Sequence, residues 1–235
     1  MKKLVLLFLI AATISAQEKD PYELIEKVKS KFNQIQDYVV DVTISIDVNF
    51  LNVPESTAKL YFKKPDSVRL KSDGFALLPK EGMNFSPIGL FKGEYNAIYT
   101  KEEKLNGSMV DVIKVIPLDD SSQIILSTIW IDQTEHVIRK LESTSKKSGT
   151  LSISLSYQDK NQKILPSEVT FEFNVQDFQL PATITGEYNN TDPKDAKKRK
   201  NKYSGENITG SVTVKYQNYV INKGIEASIF EDNGK

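Results

Sequence analysis

Few residues of this sequence are of the types that carry out catalysis or bind metal ions. His136 is the only histidine and no cysteine is present, so neither an ordinary zinc site nor a thiol nucleophile can form. We interpret His136 as an exposed strand residue. Asp119 and Asp120 are adjacent, but PLDDSS is typical of a turn between strands. No P-loop, glycine-rich dinucleotide turn or helical His-Glu-x-x-His motif occurs. The sequence therefore predicts a protein that is not an enzyme and holds no metal ion or cofactor.

The charge distribution argues against nucleic-acid binding. Basic and acidic residues are equal in number, 31 each, so the formal net charge is zero. The one dense basic run is KDAKKRKNK at 194–202, whereas phosphate affinity needs a broad positive face. We therefore expect no nucleic-acid partner.

Residues 1–16 have the layout of a secretory signal peptide. Two lysines precede an apolar stretch from Leu4 to Ile14, and small residues follow at the predicted cleavage site. The apolar stretch is too short to span a bilayer. The absence of cysteine in an exported chain favours a bacterial periplasm. We expect a cleaved signal peptide and one periplasmic domain at 17–235.

The stretch DPYELIEKVKSKFNQIQD, from Asp20 to Asp37, is typical of an amphipathic helix. Asp20 can cap the N-terminus, proline suits the first helical position, and Glu23 completes a capping-box pattern. We expect its apolar stripe to pack onto a sheet. The stripe consists of Leu24, Ile25, Val28, Phe32 and Ile35.

Most of the remaining chain alternates apolar and polar residues with a period of two. VVDVTISIDVNF, from Val39 to Phe50, is the clearest such strand. Further strands are predicted at AKLYFKK, SVRLK, EYNAIYT, MVDVIKVIP, QIILSTIWID, HVIRKLEST, TLSISLSY, SEVTFEFNV, ATITGEY and GSVTVKYQNYVI. The predicted fold is mainly β (α+β). A strongly curved antiparallel sheet forms an incomplete β-barrel, with an N-terminal helix and a lid loop over an apolar cavity.

The lid loop is the irregular segment GFALLPKEGMNFSPIGLF, from Gly74 to Phe91. Loops normally face water, yet this one has only two charged residues and many large apolar ones. Apolar area left in water costs about 25 cal/mol per Å². We interpret the segment as a lid over a cavity for acyl chains, and the alternative is a docked plug without ligand. Its predicted lipid-binding residues are Phe75, Leu77, Leu78, Met83, Phe85, Ile88, Leu90 and Phe91.

The order of these elements resembles the periplasmic lipoprotein carriers of the LolA type and their LolB and RseB-domain relatives. The resemblance rests on ELIEKVKSKFNQIQ followed by a strand, and on KLYFKKPDSVRL, VIPLDDSSQIILSTIWIDQTEHVIRKLE, KILPSEVTFEF and YQNYVINKGIEASIF. Members of that family fold as an incomplete antiparallel barrel with a lid, and they carry lipoprotein acyl chains across the periplasm. The resemblance implies a non-enzymatic carrier that binds acyl chains of lipids or lipoproteins for sorting to the outer membrane. It also implies transport partners at the inner and outer membranes.

The resemblance further implies which residues line the cavity. These are apolar residues of the first strands: Val42, Ile44, Ile46, Leu60, Phe62, Val68 and Leu70. LolA-type carriers latch the lid with an arginine that donates to backbone carbonyls, and Lys64 stands at that position here. The ammonium group of lysine cannot reproduce the planar, two-pronged hydrogen bonding of an arginine guanidinium. We therefore do not expect Lys64 to latch the lid in the same way.

A basic insertion hairpin at about 189–206 is extra to the family pattern. One interpretation is a solvated hairpin tip. In the other, Lys197, Lys198, Arg199 and Lys200 dock transiently on an anionic membrane surface, at about 1 kcal/mol per basic residue.

Two other functions stay open at this stage. The chain could be an envelope domain that senses lipid or protein, or a structural interaction protein whose interior is filled by the helix stripe. A carrier needs a cavity of roughly several hundred Å³, whereas a structural protein needs none. We expect a monomer.

Overall fold

The structure is a computed structural model that describes residues 19–48, 51–52, 54–72, 91–146, 149–158, 163–176 and 207–231. The predicted signal peptide, the strand ATITGEY and the basic insertion lie outside the described residues, as does segment 73–90 of the predicted lid. No helix in the described part of the chain is both long and apolar enough to cross a membrane.

One α-helix precedes a series of strands. Helix α1 is Pro21–Asn33, and a short 3₁₀ helix, Ala227–Ile229, follows the last strand. The strands are β1 (Asp37–Val48), β2 (Leu51–Asn52), β3 (Ser56–Lys63), β4 (Ser67–Lys71), β5 (Tyr95–Leu105), β6 (Ser108–Pro117), β7 (Ile124–Asp132), β8 (Ile138–Ser145), β9 (Thr150–Ser156), β10 (Glu168–Gln176) and β11 (Asn207–Ile221).

All described strands belong to one antiparallel sheet. Ten are hydrogen-bonded in the order β4-β3-β1-β11-β10-β9-β8-β7-β6-β5, and β2 pairs with the end of β1. The two ends of this order, β4 and β5, do not pair with each other among the described strands, so the sheet is a half-barrel. The predicted mainly β fold with an incomplete, curved barrel is confirmed.

Helix α1 begins as predicted but ends earlier. Asp20 caps it by accepting a hydrogen bond from the Tyr22 backbone N–H at 2.8 Å. Glu23 does not complete a capping box with Asp20; it pairs with Lys27 at 2.8 Å, one turn further along. The helix therefore starts with a simple cap.

The predicted extension of the helix to Asp37 is wrong, because a distant residue holds the chain in a corner after Asn33. Asn222, which follows β11, accepts from the Gln36 backbone N–H at 2.7 Å and donates to the Gln34 carbonyl at 2.8 Å. These bonds turn the chain from α1 into β1.

The face of the sheet that α1 contacts, called here the inner face, carries two apolar clusters. The first joins the N-terminal half of α1 to β6–β10, and the second joins Phe32 and Ile35 to β1, β3 and β11. On β1 the burial alternates as predicted, with Val40, Val42 and Ile44 at 1–2% exposure. The apolar stripe of α1 is therefore what packs against the sheet.

The strand register places apolar residues in continuous rows across the inner face. One row, called the inner row, consists of Ile46, Val212, Phe171, Ile153, Leu141, Ile129, Ile113 and Tyr99. The next row, called the end row, consists of Val48, Gly210, Phe173, Leu151, Ser143, Ser127, Val115 and Ala97. The end row lies near the end of the half-barrel at which β1 finishes, called here the Val48 end.

The opposite end, called the Asp37 end, is closed by connecting segments. The buried Asp37 carboxylate accepts from the Gly224 backbone N–H at 3.1 Å, and Lys63 donates to the Ile225 carbonyl at 3.0 Å. Leu165, in the segment before β10, is 3% exposed and belongs to the second cluster.

A third, smaller cluster lies on the outer face of the sheet. It consists of Val110, Val112 and Trp130, with Leu105 at its margin. The Trp130 indole N–H donates to Glu103, and the Lys140 ammonium lies 4.9 Å from the centroid of the Trp130 rings. The side chains of Glu103 and Lys140 thus cover the third cluster.

We predict that Gly210→Ala destabilises the fold. A Cβ at Gly210 would lie 2.9 Å from the Asp47 carbonyl, the Phe173 ring and the Val48 side chain. Overpacking of this kind costs about 1–3 kcal/mol, and urea unfolding measures it. In a Phe173→Leu background the same substitution should cost less, because the ring contact is gone. An equal cost in both backgrounds would contradict the role of the ring.

Candidate functional site

The apolar inner face is the candidate site, and the predicted cavity residues of the first strands all lie on it. Four of them are buried and packed in the second cluster, and the Phe32 ring of α1 meets the Phe62 ring edge-on at 6.0 Å. The buried four are Val42, Ile44, Leu60 and Phe62, and the half-buried three are Ile46, Val68 and Leu70. The interior at these strands is thus partly occupied by α1.

Aromatic side chains fill the interior near the Asp37 end. The Tyr38 ring stacks on Phe62 at 5.0 Å and meets Tyr219 edge-on at 5.7 Å, while Tyr216 stacks on Tyr219 at 6.1 Å. Burial raises the pKa of Tyr38 and of Tyr216 well above the ordinary value. This part of the inner face is a packed aromatic core.

The N-terminal half of α1 is attached to the edge strand β5. The Tyr22 ring stacks on Tyr95 at 6.1 Å, and the Tyr22 hydroxyl accepts from the Ala97 backbone N–H at 3.2 Å. The Lys29 ammonium lies 5.8 Å from the Tyr95 ring and 5.9 Å from the Phe91 ring. Phe91, the one predicted lid residue within the described part of the chain, is buried in the first cluster.

Helix α1 therefore bridges the opening of the half-barrel. Its first turns contact β5, one edge of the sheet, and Phe32 contacts β3, the neighbour of the other edge. A helix of 13 residues is about 20 Å long and about 10 Å wide with its side chains. The inner row crosses eight strands, which is about 34 Å at the usual strand spacing.

Polar contacts fix the start of the helix to the sheet. Asp111, 2% exposed on the inner face, accepts through Oδ1 from Lys19 at 2.8 Å, Gln133 at 3.0 Å and the Tyr99 hydroxyl at 3.2 Å. Lys19 also pairs with Glu102 at 2.7 Å. The carboxylate thus anchors the residues that precede α1.

These contacts shift the titration of the groups involved. Burial lowers the pKa of Lys19, but its hydrogen bonds to Asp111 and Glu102 outweigh burial, so the pKa is raised above its ordinary value. Burial and the negative charge of Asp111 raise the pKa of Tyr99 to about 12. Both shifts favour the protonated groups that bond to Asp111.

Lys64, the predicted lid latch, contacts the end of α1. Its ammonium donates to the Asn33 backbone carbonyl at 2.8 Å and to the Asn33 Oδ1 at 3.2 Å. It therefore bonds to a backbone carbonyl, as the resemblance implies for an arginine, but the carbonyl is that of the last helical residue. The other predicted site residues lie outside the described residues: Phe75, Leu77, Leu78, Met83, Phe85, Ile88, Leu90, Lys197, Lys198, Arg199 and Lys200.

Reasoning from the sequence missed much of the inner face. The predicted lining was limited to the first strands, whereas β5–β10 supply most of the inner row and the end row. The period of two in these strands could have identified their apolar faces. It could not have shown that Ser127 and Ser143 meet on the same face.

No group of three or more metal-ligating side chains occurs in the described part of the chain. His136 is not the exposed strand residue that was predicted: it lies in the β7–β8 turn with φ of 52°, half-buried, because its backbone N–H bonds to the Asp132 carbonyl at 3.0 Å. The inner row itself consists of apolar side chains and the Tyr99 phenol.

Comparison with solved structures identifies the fold. A domain from Vibrio parahaemolyticus with the provisional name outer membrane lipoprotein-sorting protein, and a DUF1329 family protein from Desulfovibrio piger, each align with a TM-score of 0.56 at 14% identity. A LolA superfamily protein from Nitrosomonas europaea aligns with a TM-score of 0.51 at 10% identity. Each alignment covers 91% of this chain and 98% of the other. The chain thus has a LolA-like fold.

Comparison by sequence adds no further relative. No protein-family model matches the chain, and no curated protein matches it.

We predict that Lys19→Met destabilises the protein and Asp111→Asn partly restores it. Removing Lys19 leaves the buried Asp111 carboxylate without its cationic partner, at a cost of about 1–3 kcal/mol. In the double variant the neutral amide needs no cation, so the effects should be less than additive. Urea unfolding of both single variants and the double variant measures the coupling. Strict additivity would contradict the anchor.

We predict that stability declines above about pH 10, the ordinary pKa of tyrosine. Burial raises the pKa of Tyr38, Tyr157 and Tyr216, so these phenols stay neutral in the folded chain while they ionise in the unfolded chain. These tyrosines therefore leave the unfolding free energy unchanged below that pH, and above it they lower the unfolding free energy by about 1.4 kcal/mol per pH unit each. Urea unfolding from pH 8 to 11 tests this, and Tyr216→Phe should reduce the slope. An unchanged slope would contradict the assignment.

Proposed function

We propose that this chain is a non-enzymatic periplasmic carrier. It binds the acyl chains of lipids or lipoproteins against the inner face of the half-barrel and delivers them to the outer membrane. The observation that supports this most is the extent of the inner row, which runs through eight strands without a charged residue.

The apolar surface is wider than one helix can cover. The inner row extends over about 34 Å across the strands, whereas α1, which runs from β5 toward β3, is about 20 Å long. Ile46, Val212 and Phe171 in this row are only half-buried, as are Leu151 and Phe173 in the end row. An acyl chain laid along these residues would bury apolar area at about 25 cal/mol per Å².

The chain path supports a lid at the Val48 end. β4 runs toward that end before it finishes at Lys71, and β5 begins there at Tyr95. β4 and β5, the described strands before and after segment 73–90, are the two edges of the sheet. We propose that the apolar residues of this segment contact the bound acyl chain.

The described strands on either side of the basic insertion end and begin at the Val48 end. β10 finishes at Gln176 and β11 begins at Asn207, and these two residues pair beyond the end row. We propose that Lys197, Lys198, Arg199 and Lys200 bring this end transiently to an anionic membrane surface. Acyl chains could then pass between the bilayer and the inner face with little exposure to water.

The fold likeness agrees with a role in lipoprotein transport. The Vibrio parahaemolyticus domain carries a lipoprotein-sorting name, and the Nitrosomonas europaea structure belongs to the LolA superfamily. By analogy we propose lipoprotein or lipid cargo and transport partners at the two membranes of the envelope.

A second candidate function is an envelope sensing or structural domain with a filled interior. The packed aromatic core at the Asp37 end favours it, because Phe32, Tyr38 and Phe62 already occupy that part of the inner face. Under this alternative the half-buried residues at the Val48 end are covered by protein rather than by lipid.

We predict that Ile46→Glu removes bound lipid and Ile98→Glu does not. Ile46 lies in the inner row, whereas Ile98 pairs with Lys114 and is 51% exposed on the outer face. A carboxylate on the inner face repels an acyl chain, so co-purified lipid should fall about tenfold or more. Mass spectrometry of an organic extract from the protein purified from a periplasm measures it, with circular dichroism to confirm folding.

Lipid in the wild-type protein and in Ile98→Glu, but not in Ile46→Glu, supports the carrier. Absence of lipid from the wild-type protein, with a melting temperature that added fatty acid or phospholipid does not change, would favour the filled-interior alternative.

A further inference from the structure

Two serines form a polar pair within the apolar inner face. Ser127 on β7 and Ser143 on β8 are cross-strand partners in the end row, with exposures of only 4% and 6%. Their Oγ atoms lie 2.7 Å apart and share one hydrogen bond. Val115 and Leu151 flank the pair in the end row.

The two hydroxyl groups carry two protons, but only one of them is donated within the pair. A hydroxyl donates one hydrogen bond and can accept two. When one serine donates to the other, the proton of the second has no acceptor within the pair. In the part of the chain that the structure describes, neither serine donates to any other group. A buried donor without an acceptor is unfavourable, so an acceptor atom from a ligand would complete the pair.

The position of the pair suits the polar end of an acyl chain. Ser143 lies two residues before the end of β8 at Ser145, which is about 7 Å inside the Val48 end. Leu141 and Ile129 of the inner row are the next residues inward on the same two strands. Both are fully buried, whereas Leu151, next to Ser143 in the end row, and Phe173, next to Leu151, are half-buried. A chain whose carbonyl group reached the serines would therefore continue onto Leu151 and Phe173.

The surroundings of the pair favour a neutral acceptor. Val115, Leu151, Ile129 and Leu141 are all apolar, and none of these neighbours offers a positive charge. Burying a carboxylate without a cation is far more costly than burying an ester. An ester carbonyl accepts hydrogen bonds and donates none, which matches a pair with one proton to give.

We infer that Ser127 and Ser143 form an anchoring site for the carbonyl oxygen of a neutral acyl ester. This inference rests on the proposed carrier function and specifies its ligand: an esterified acyl chain rather than a free fatty acid. The hydrocarbon part follows the half-buried Leu151 and Phe173 of the end row toward Phe171 of the inner row, and the ester lies at the Val48 end.

The test compares ligands that differ only at the polar end. Diphenylhexatriene, a hydrocarbon without polar atoms, serves as the fluorescent reporter, and methyl myristate, myristate and tetradecane compete for it. Wild-type protein should prefer methyl myristate. The double variant Ser127→Ala/Ser143→Ala should bind methyl myristate about 3–10-fold more weakly, as expected for one lost hydrogen bond. Its affinity for diphenylhexatriene and tetradecane should not change.

A matched control and a spectroscopic readout separate anchoring from general effects. Ser154 is exposed and pairs with Lys140 on the outer face, so Ser154→Ala should leave all affinities unchanged. The carbonyl stretch of methyl myristate labelled with ¹³C at the ester should lie at lower frequency in wild-type protein than in the double alanine variant. Phosphatidylglycerol and a diacylglyceryl lipopeptide, tested in the same way, distinguish the two natural sources of such an ester.

The outcomes separate the two proposals. Binding of diphenylhexatriene with equal methyl myristate affinity in wild-type and double variant overturns the anchor and leaves the carrier intact. Tighter binding of myristate than of its methyl ester at pH 8 overturns the preference for a neutral ester. Failure of wild-type protein to bind any of these probes overturns the carrier proposal, and the anchor with it.

Discussion

The pairing of the first strand with the last is the interaction on which the rest of the structure depends. β1 and β11 match from Tyr38 and Ile221 to Val48 and Gly210. Without this seam, β4-β3-β1 and the meander from β5 to β11 would be two separate sheets, each with additional open edges. The seam also carries both rows of the inner face into β1, and it brings Asn222 to the corner that ends α1. Its contacts join distant parts of the chain, so its formation requires closure of a long loop.

The pairing of β1 with β11 also determines where α1 packs. Its apolar stripe must be buried, and the sheet leaves an opening between β4 and β5. Polar contacts act at both ends of the helix: Lys19 bonds to Asp111 before the first turn, and Lys64 bonds to the Asn33 carbonyl at the last. Apolar packing fixes the depth of the helix, and these bonds fix where it begins and ends. The helix thereby stabilises an open sheet without closing it.

Helices, strands and their buried faces can be predicted from the sequence, because a buried face repeats apolar residues at the period of its own helix or strand. The strand predicted from Val39 agrees with β1 up to Val48, and the stripe from Leu24 to Ile35 is buried as predicted. The order of the strands in the sheet cannot be predicted from periodicity, since β4 and β5 are consecutive in the chain yet lie at opposite edges of the sheet. The helix end was misplaced because a residue after β11 sets it. In MVDVIKVIP the buried Val110 and Val112 lie on the outer face beneath Trp130, while Asp111 lies on the inner face. When both faces of a strand are buried, the alternation of residues does not show which face is the inner one.

Polar groups inside an apolar shell indicate how the interior is divided. Asp111 accepts three hydrogen bonds through Oδ1, and these contacts fix the position of Lys19 before α1. The Asp37 end is packed with aromatic rings and gains stability from their contacts. At the Val48 end the serine pair retains a proton to donate, and Leu151 beside it and Phe173 on the next strand are only half-buried. The packed aromatic rings thus lie at the Asp37 end, and half-buried apolar side chains lie toward the Val48 end.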